Sequence, residues 1–285
     1  MITFTKRNLM VFFKDRSSVF FSLLSSFIII GLYILFLGDV WTNSFEGVDN
    51  AREIMDNWIM AGLISVTSLT TTMGAFGIMI NDKTTKIQKD FYCSPLKRIS
   101  LGGGYILGAF IIGIIMSIVT LAFAEIYIVA EGGSLISLAA LLKTLLLIVF
   151  STFMNTSLMF FMVSFFSSQN AFATASTILG TLIGFLTGIY LPIGSLPEAV
   201  QFVVKVFPPS HSAVLFRQVM MEEAMAEGFL NVPEDIVLGI KKQLGVVFNF
   251  GDTVVSQMTS VIIVAAVGVL FFTFAVLSIS RKKRR

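Results

Sequence analysis

Residues 254–280 read VVSQMTSVIIVAAVGVLFFTFAVLSIS, and the five that follow, 281–285, read RKKRR. An apolar run of this length reaches across the roughly 30 Å hydrocarbon core of a bilayer as one helix. A basic cluster directly after such a run marks the end that faces the cytoplasm. The composition of the whole chain agrees. Of 285 residues 55% are hydrophobic and 13% charged, and the mean hydropathy is +0.88. Soluble proteins carry roughly 25% charged residues. A soluble domain of this size has no interior large enough for so much apolar surface, whereas a bundle of spanning helices needs none, because lipid covers it. The expected fold class is all-α, a polytopic membrane protein forming a single transmembrane domain over residues 1–285.

Working back from that last span, five more apolar runs stand out. The six candidates are 17–38, 58–80, 101–129, 138–166, 171–191 and 254–280. Basic residues alternate between the connecting segments. Lys6, Arg7, Lys14 and Arg16 precede the first span, and Lys83, Lys86, Lys89, Lys97 and Arg98 follow the second. With the five at 281–285, these place fourteen of the twenty Lys and Arg on one side. Six spans with both termini in the cytoplasm of a cell membrane satisfy that bias. The net charge of +3 is therefore a matter of orientation and gives no reason to expect nucleic acid. Residues 1–21 show no small-residue cleavage site, so the first span is expected to act as its own insertion signal.

Acidic residues collect on the other side. Asp39, Glu46, Asp49, Glu53 and Asp56 lie in the first external loop, and Glu198, Glu222, Glu223, Glu227, Glu234, Asp235 and Asp252 in the last. A solvated face explains them more simply than a cation site. Residues 1–16 interleave Phe4, Leu9, Met10, Phe12 and Phe13 with Lys6, Arg7, Lys14 and Arg16. That pattern predicts a helix lying at the membrane interface. Residues 192–253 are too long for a simple connection. They predict a re-entrant or external helical hairpin, with one short helix after Pro197 stopped by Pro208-Pro209 and a second around 212–227.

Chemistry-bearing motifs are scarce. The chain has no GxxxxGK[ST] phosphate loop, no HExxH and no Cys/His cluster. Its one cysteine, Cys93, forms no internal disulfide, and its one histidine, His211, has no nucleophile or metal set beside it in the sequence. Glu125 and Lys143 fall near the external ends of their spans, where they snorkel or pair with each other. The absence of a convincing midplane carboxylate disfavours an ion-coupled transporter. In the second span Ser65, Ser68, Thr71 and Thr72 leave two readings open: a polar transport pathway, or hydroxyls bonded back to their own helix. In the fifth, Ser176, Gly180, Gly184 and Gly188 form a small-residue ridge suited either to dimerisation or to packing within one chain.

The most specific segment is residues 81–108, NDKTTKIQKDFYCSPLKRISLGGGYILG. It resembles the first cytoplasmic loop of the type-2 (ABC-2 type) family of ABC exporter permeases. Thr84 or Thr85, Phe91-Tyr92, Ser94-Pro95 and Lys97-Arg98 fill the family's threonine, apolar-pair, small-Pro and basic positions. Two departures stand out: Asp82-Lys83-Thr84-Thr85 replaces an Arg-Glu-x-Gly-Thr lead, and Phe91-Tyr92 replaces a Leu pair. Residues 196–201 and 208–217 are similar to the family's Leu-Pro…Pro…Arg pattern before the last span.

The resemblance implies a non-enzymatic permease subunit that binds no cofactor itself. ATP and Mg would sit on a separate nucleotide-binding subunit. A second permease copy or paralogue would face it through the first, second and fifth spans. Coupling to the ATPase is expected at 81–100, through Asp82, Lys83, Thr84, Thr85, Lys86, Lys89, Phe91 and Pro95. Family cargoes include drugs, antimicrobial peptides and lipid-linked polysaccharides; the Phe- and Met-rich spans favour an amphipathic drug or peptide. An oligomeric channel lined by the second span is the rival from another class.

Overall fold

The computed structural model describes residues 1–37, 50–93, 97–230, 232–251 and 253–281. Asp39, Glu46, Asp49, Ser94, Pro95, Asp252 and the basic residues 282–285 lie outside that set. Apart from one two-residue β-hairpin, Asn249–Phe250 paired with Thr253–Val254, the regular structure is helical.

Helix α1 (Ile2–Lys14) turns at Asp15 into α2 (Arg16–Leu32). The Asp15 carboxylate accepts from the amides of Ser17 and Ser18, which caps α2 and fixes the corner. Then come α3 (Ala51–Thr84), the short α4 (Ile87–Cys93), α5 (Arg98–Ala130), α6 (Leu138–Val163) and α7 (Gln169–Leu186). At the opposite end from α4 lie α8 (Glu198–Val206), α9 (Pro208–Met220), α10 (Glu222–Gly228) and α11 (Glu234–Gln243). Helix α12 (Gln257–Arg281) completes the chain.

Five helices are long and apolar enough to cross a membrane: Arg16–Leu35, α3, α5, α6 and Gln257–Leu277 of α12. The sixth expected span, 171–191, corresponds to α7, which falls outside that group. It has 18 residues, about 27 Å at 1.5 Å per residue, and opens on Gln169-Asn170. It stops early because Gly188 takes φ +66°, and the Ile189 amide reaches back to the Gly184 carbonyl at 2.9 Å. This left-handed helix-end turn favours glycine.

Helix α3 is the axis of the bundle. Helices α2, α5, α6, α7 and α9 all pack on it, and Trp58, Leu63, Ile64, Leu69 and Phe76 along it are fully buried. The second span is thus largely covered by its own chain, with Gly74 and Asn81 left exposed along one side. Its hydroxyls are used inside the protomer. Ser68 shares a hydrogen bond with Thr152 at 2.9 Å and accepts from Asn155 at 3.1 Å. Thr71 donates to the Thr67 carbonyl at 2.6 Å, Thr72 to that of Ser68 at 2.9 Å, and Ser65 reaches toward the Pro209 carbonyl. All four are buried. The pathway reading of Ser65, Ser68, Thr71 and Thr72 is corrected for this protomer: they hold helices together.

At the acidic end, Pro197 precedes α8, which ends before Pro208 as the proline spacing predicts, but Pro208 itself opens α9 at its first turn, ahead of the start expected around 212. The second helix is divided differently from expectation, into α9 and α10. Helix α9 also penetrates further, packing on α3, α6 and α12. Arg217 on α9 is 0% exposed. Its guanidinium donates to the carbonyls of Gly188 (2.9 Å) and Gly245 (3.4 Å) and lies 4.8 Å from the Trp58 ring centroid. The Trp58 indole in turn donates to the Leu244 carbonyl at 2.7 Å. Burial pushes the Arg217 pKa down to about 9, so the group stays charged at neutral pH. No carboxylate pairs with it among the described residues. Carbonyl dipoles and the indole face compensate its charge instead.

His211, also on α9, is buried. Its Nε2 lies 2.9 Å from the Lys205 carbonyl, which only accepts, so Nε2 carries the proton and Nδ1 accepts from Ser260 at 3.1 Å. Burial lowers the imidazole pKa below its ordinary 6.5. Protonation then favours the unfolded chain. The stability held above pH 6.5 should fall as pH drops through that value and level off below the folded pKa. Unfolding midpoints of detergent-solubilised protein between about pH 7.5 and pH 5 should decline. His211→Gln should flatten the decline, and an equally steep profile in that variant would remove His211 as its source.

Candidate functional site

The basic end of the bundle is assembled from α1, the last turn of α3, α4 and the first turns of α5. Helix α1 is amphipathic, and it divides its aromatics between two surroundings. Phe4 and Phe12 turn into the bundle with Thr5 and Asn8, while Met10, Val11 and Phe13 stay exposed. The expected interfacial helix is therefore half docked on protein, with only its outer side left for lipid. Docking is close because α5 offers glycines at the contact. A Cβ at Gly104 would stand 2.7 Å from the Phe4 ring, and one at Gly108 would stand 3.2 Å from Asn8 Cβ. The Asn8 amide donates to the Gly104 carbonyl at 3.2 Å. Glycines four residues apart let two helix backbones approach. That spacing was legible within GGGYILG, but only contact with α1 gives it meaning.

One carboxylate locks this arrangement. Asp82, near the end of α3, is 1% exposed. Arg7 grips it with both terminal nitrogens, at 2.6 and 2.8 Å, and the Tyr105 hydroxyl donates to it at 2.6 Å. The Arg7 guanidinium also lies 5.5 Å from the Phe91 ring of α4, and Phe4 meets the edges of Phe91 and Tyr105. Hydrogen bonding to Asp82, opposed in part by burial, holds the Arg7 pKa above its usual range. Bidentate arginine–carboxylate contacts are the strong, directional kind. Helices α1, α3, α4 and α5 thus converge on one ion pair.

This geometry sorts the predicted coupling residues. Asp82 is corrected from a surface contact to a buried tie. Lys83 is half-buried, and its Nζ donates to the Phe166 carbonyl at 2.6 Å and Ser167 Oγ at 3.3 Å, just past the end of α6. Phe91 faces inward, and Pro95 lies outside the described residues. Thr84, Thr85, Lys86 and Lys89 stand exposed together. Both threonine hydroxyls bond back to the Asn81 carbonyl, ending α3, and Lys86 takes φ +65° to start α4 at a sharp angle. A non-glycine residue in that conformation is uncommon and is held there by its surroundings. Ile87 on α4 and Ile99 on α5 are exposed beside them.

The glycine ridge of α7 also divides. A Cβ at Gly184 would meet the Tyr190 ring at 2.1 Å, and Gly188 lies in the turn beyond the helix, against Ile193. Both serve packing within the chain, which corrects the single-ridge expectation. Gly180 has open space around it, and the Ser176 hydroxyl is buried. Glu125 and Lys143 do not pair: Glu125 accepts from the Ile136 amide at 3.1 Å and Lys143 from α6 reaches Glu222 at 3.1 Å. Asp56, expected on a solvated face, is buried beside Arg52 at 3.4 Å.

The profile of a family described as ABC-2 family transporter protein matches residues 40–277. The match covers most of the chain, and the chain belongs to that family. It is a multi-pass membrane protein and the permease membrane domain of an ABC-2 transporter. No curated protein matches the chain.

Removing the charge of Asp82 should strand Arg7 beside a half-buried site. Asp82→Asn should cost about 1–3 kcal/mol of stability, less than a fully buried pair because Arg7 is partly exposed. Hydrogen–deuterium exchange should rise over residues 2–14 before the rest of the bundle. Unchanged protection of α1 would show that its glycine contact with α5 suffices without the ion pair.

Proposed function

We propose that this chain is the membrane-spanning half of an ATP-driven exporter, working as a pair of copies or with a paralogue. Each copy engages a separate nucleotide-binding subunit that carries ATP and Mg, while this chain binds no cofactor. The observation that carries the docking assignment is the exposed platform of Thr84, Thr85, Lys86 and Lys89, fixed to α3 by its backbone and braced by Arg7 and Asp82. A lever must be stiff to transmit a movement, and this one is continuous with the central helix. The basic end faces the cytoplasm, as the distribution of Lys and Arg requires, and α7 completes a six-helix crossing. The cargo is amphipathic, a drug or antimicrobial peptide, in keeping with the Phe- and Met-rich helices.

Lys86 and Lys89 present positive charge to acidic residues of the ATPase. Reversing both, with Lys86→Glu and Lys89→Glu, should weaken co-purification of the ATPase roughly tenfold while leaving insertion and melting unchanged. Full retention of the ATPase would move the docking site elsewhere. A clean homo-oligomer of the unsubstituted chain, with no ATPase, would favour the channel instead.

The contact between copies lies on the outer face of α7. Ala173, Thr177 and Thr181 recur there at four-residue spacing, exposed, with Gly180 open beside them. Each threonine hydroxyl bonds to the carbonyl four residues back, so the face stays small and satisfied. Gly180→Leu should reduce crosslinking between copies without lowering the melting temperature. Gly184→Leu would instead disturb the fold through Tyr190. An unaltered crosslinking yield with Gly180→Leu would place the interface on another helix.

A further inference from the structure

Three spaces on one flank of the bundle share walls. At the acidic end, α9, α10, α11 and the start of α12 enclose a cleft of about 1110 Å³. Lys143, Val219 and Gln257 line that cleft and also a groove of about 690 Å³ that descends along α6 between α9 and α12. Phe110 and Phe153 line this groove and also a third space of about 380 Å³ nearer the basic end. The furrow exists because α5 and α12 both pack on α6 but close on each other at the basic end, where a Cβ on Gly102 would stand 2.6 Å from Ile279. Along α6 from Lys143 to Ser157 the furrow runs about 21 Å, most of the roughly 30 Å hydrocarbon thickness.

Its chemistry changes with depth. Below Lys143 the walls are Leu146, Leu147, Phe150, Phe153 and Val261, without a charge. At the mouth the charges are mixed. Lys143 and Glu222 form a 3.1 Å pair, with side chains 54% and 60% exposed, and Glu234, Asp235 and Lys241 line the same cleft. An exposed pair of this kind is weak and opens readily to other partners. Gln218, on the cleft wall, donates its amide to the Val246 carbonyl at 2.9 Å, while its Oε1 is buried with no hydrogen-bond partner. An acceptor without a donor and a wall carrying both signs complement a head that bears a phosphate and an ammonium together. Lys143, Lys241 and the buried Arg217 line the cleft with Glu222, Glu234 and Asp235, so a head of one sign alone leaves the opposite set of wall charges unmatched.

We propose that this flank binds a zwitterionic phospholipid of the acidic-end leaflet, its headgroup in the cleft at Lys143, Glu222 and Gln218 and an acyl chain in the groove beneath. Lys143 takes the phosphate, and Glu222 with Gln218 Oε1 takes the ammonium. The site needs only the multi-pass placement of this chain and is independent of the ATPase docking face.

The test uses the full chain in vesicles, with a tryptophan placed at the groove by Leu146→Trp; Leu146 is 71% exposed, so the fold tolerates it. Brominated phosphatidylethanolamine or brominated phosphatidylglycerol is titrated into unbrominated lipid, and quenching is read as the difference from the unsubstituted chain. Half-quenching is expected at roughly a fivefold lower mole fraction of the zwitterionic lipid. Val269→Trp, on α12 away from the groove and 59% exposed, should show no preference. Lys143→Glu should abolish the preference at Leu146→Trp, and the swap Lys143→Glu with Glu222→Lys should restore it, which a merely misfolded variant would not. Equal quenching by both lipids would reduce the groove to ordinary annular contact and overturn the proposal. Absence of quenching, or crosslinking between chains through Leu146→Cys, would overturn it in favour of a second copy as occupant.

Discussion

A polar atom at membrane depth has no water to bond, so each one needs a partner from protein, and α3 carries a high density of them. Ser65, Ser68, Thr71 and Thr72 sit in its middle, and each hydroxyl finds an acceptor or donor on α3 itself, α6 or α9. Ser26 of α2 and Thr120 of α5 extend the same set through Thr67. Leaving such groups facing lipid would cost several kcal/mol each. The arrangement of helices around α3 follows: the one helix that lipid solvates poorly is the one the others enclose.

Each end of that helix is held by an arginine, by opposite means. At the basic end Arg7 meets Asp82 in a bidentate pair with Tyr105 as third partner. At the acidic end Arg217 lies over Trp58 and donates to the carbonyls of Gly188 and Gly245 without a carboxylate. The first draws α1 and α4 onto α3. The second draws together α9, the turn after α7 and the turn after α11. Breaking either would leave a buried charge uncompensated, which is more damaging than never having placed it there. Helix α3 is in this sense one strut pinned at both ends, and α4, separated from it by two residues, is tied to its end through Phe91 and Arg7.

The membrane class, five of the spans, the charge asymmetry and the proline-bounded helices were legible because each depends on local composition or spacing. The rest depended on partners far along the chain. Asp82 beside Lys83 reads as a solvated pair until Arg7, seventy-five residues earlier, is brought against it. Gly104 and Gly108 read as helix glycines until Phe4 and Asn8 fill the space above them. Gly184 and Gly188 shared their spacing with Gly180, yet the helix ends between them, and periodicity alone gives no signal of that. Arg217 fell within a recognisable sequence pattern, but its burial against Trp58 did not follow from the pattern. In each case the sequence supplied the residue and the fold supplied its counterpart.

The same contrast separates the parts of the bundle that hold from those free to shift. Helix α3 is enclosed along most of its length, whereas α7 packs mainly on α3 and α8, and α2 on α3 and α1. Regions with few packed neighbours open and slide at lower cost than the core. A transporter needs both kinds: a strut that carries displacement from the proposed docking platform across the membrane, and flanking helices that change their contacts when it arrives. The exposed outer faces of α2 and α7 flank α3, so a movement of the strut shifts the surfaces available to a second copy. Packing of interiors is bistable more often than compliant. A small tilt of α4, transmitted through Asp82, would therefore be expressed as a change in which faces of α2 and α7 are exposed, and so in the surface offered to the proposed second copy, with the interior of α3 left intact.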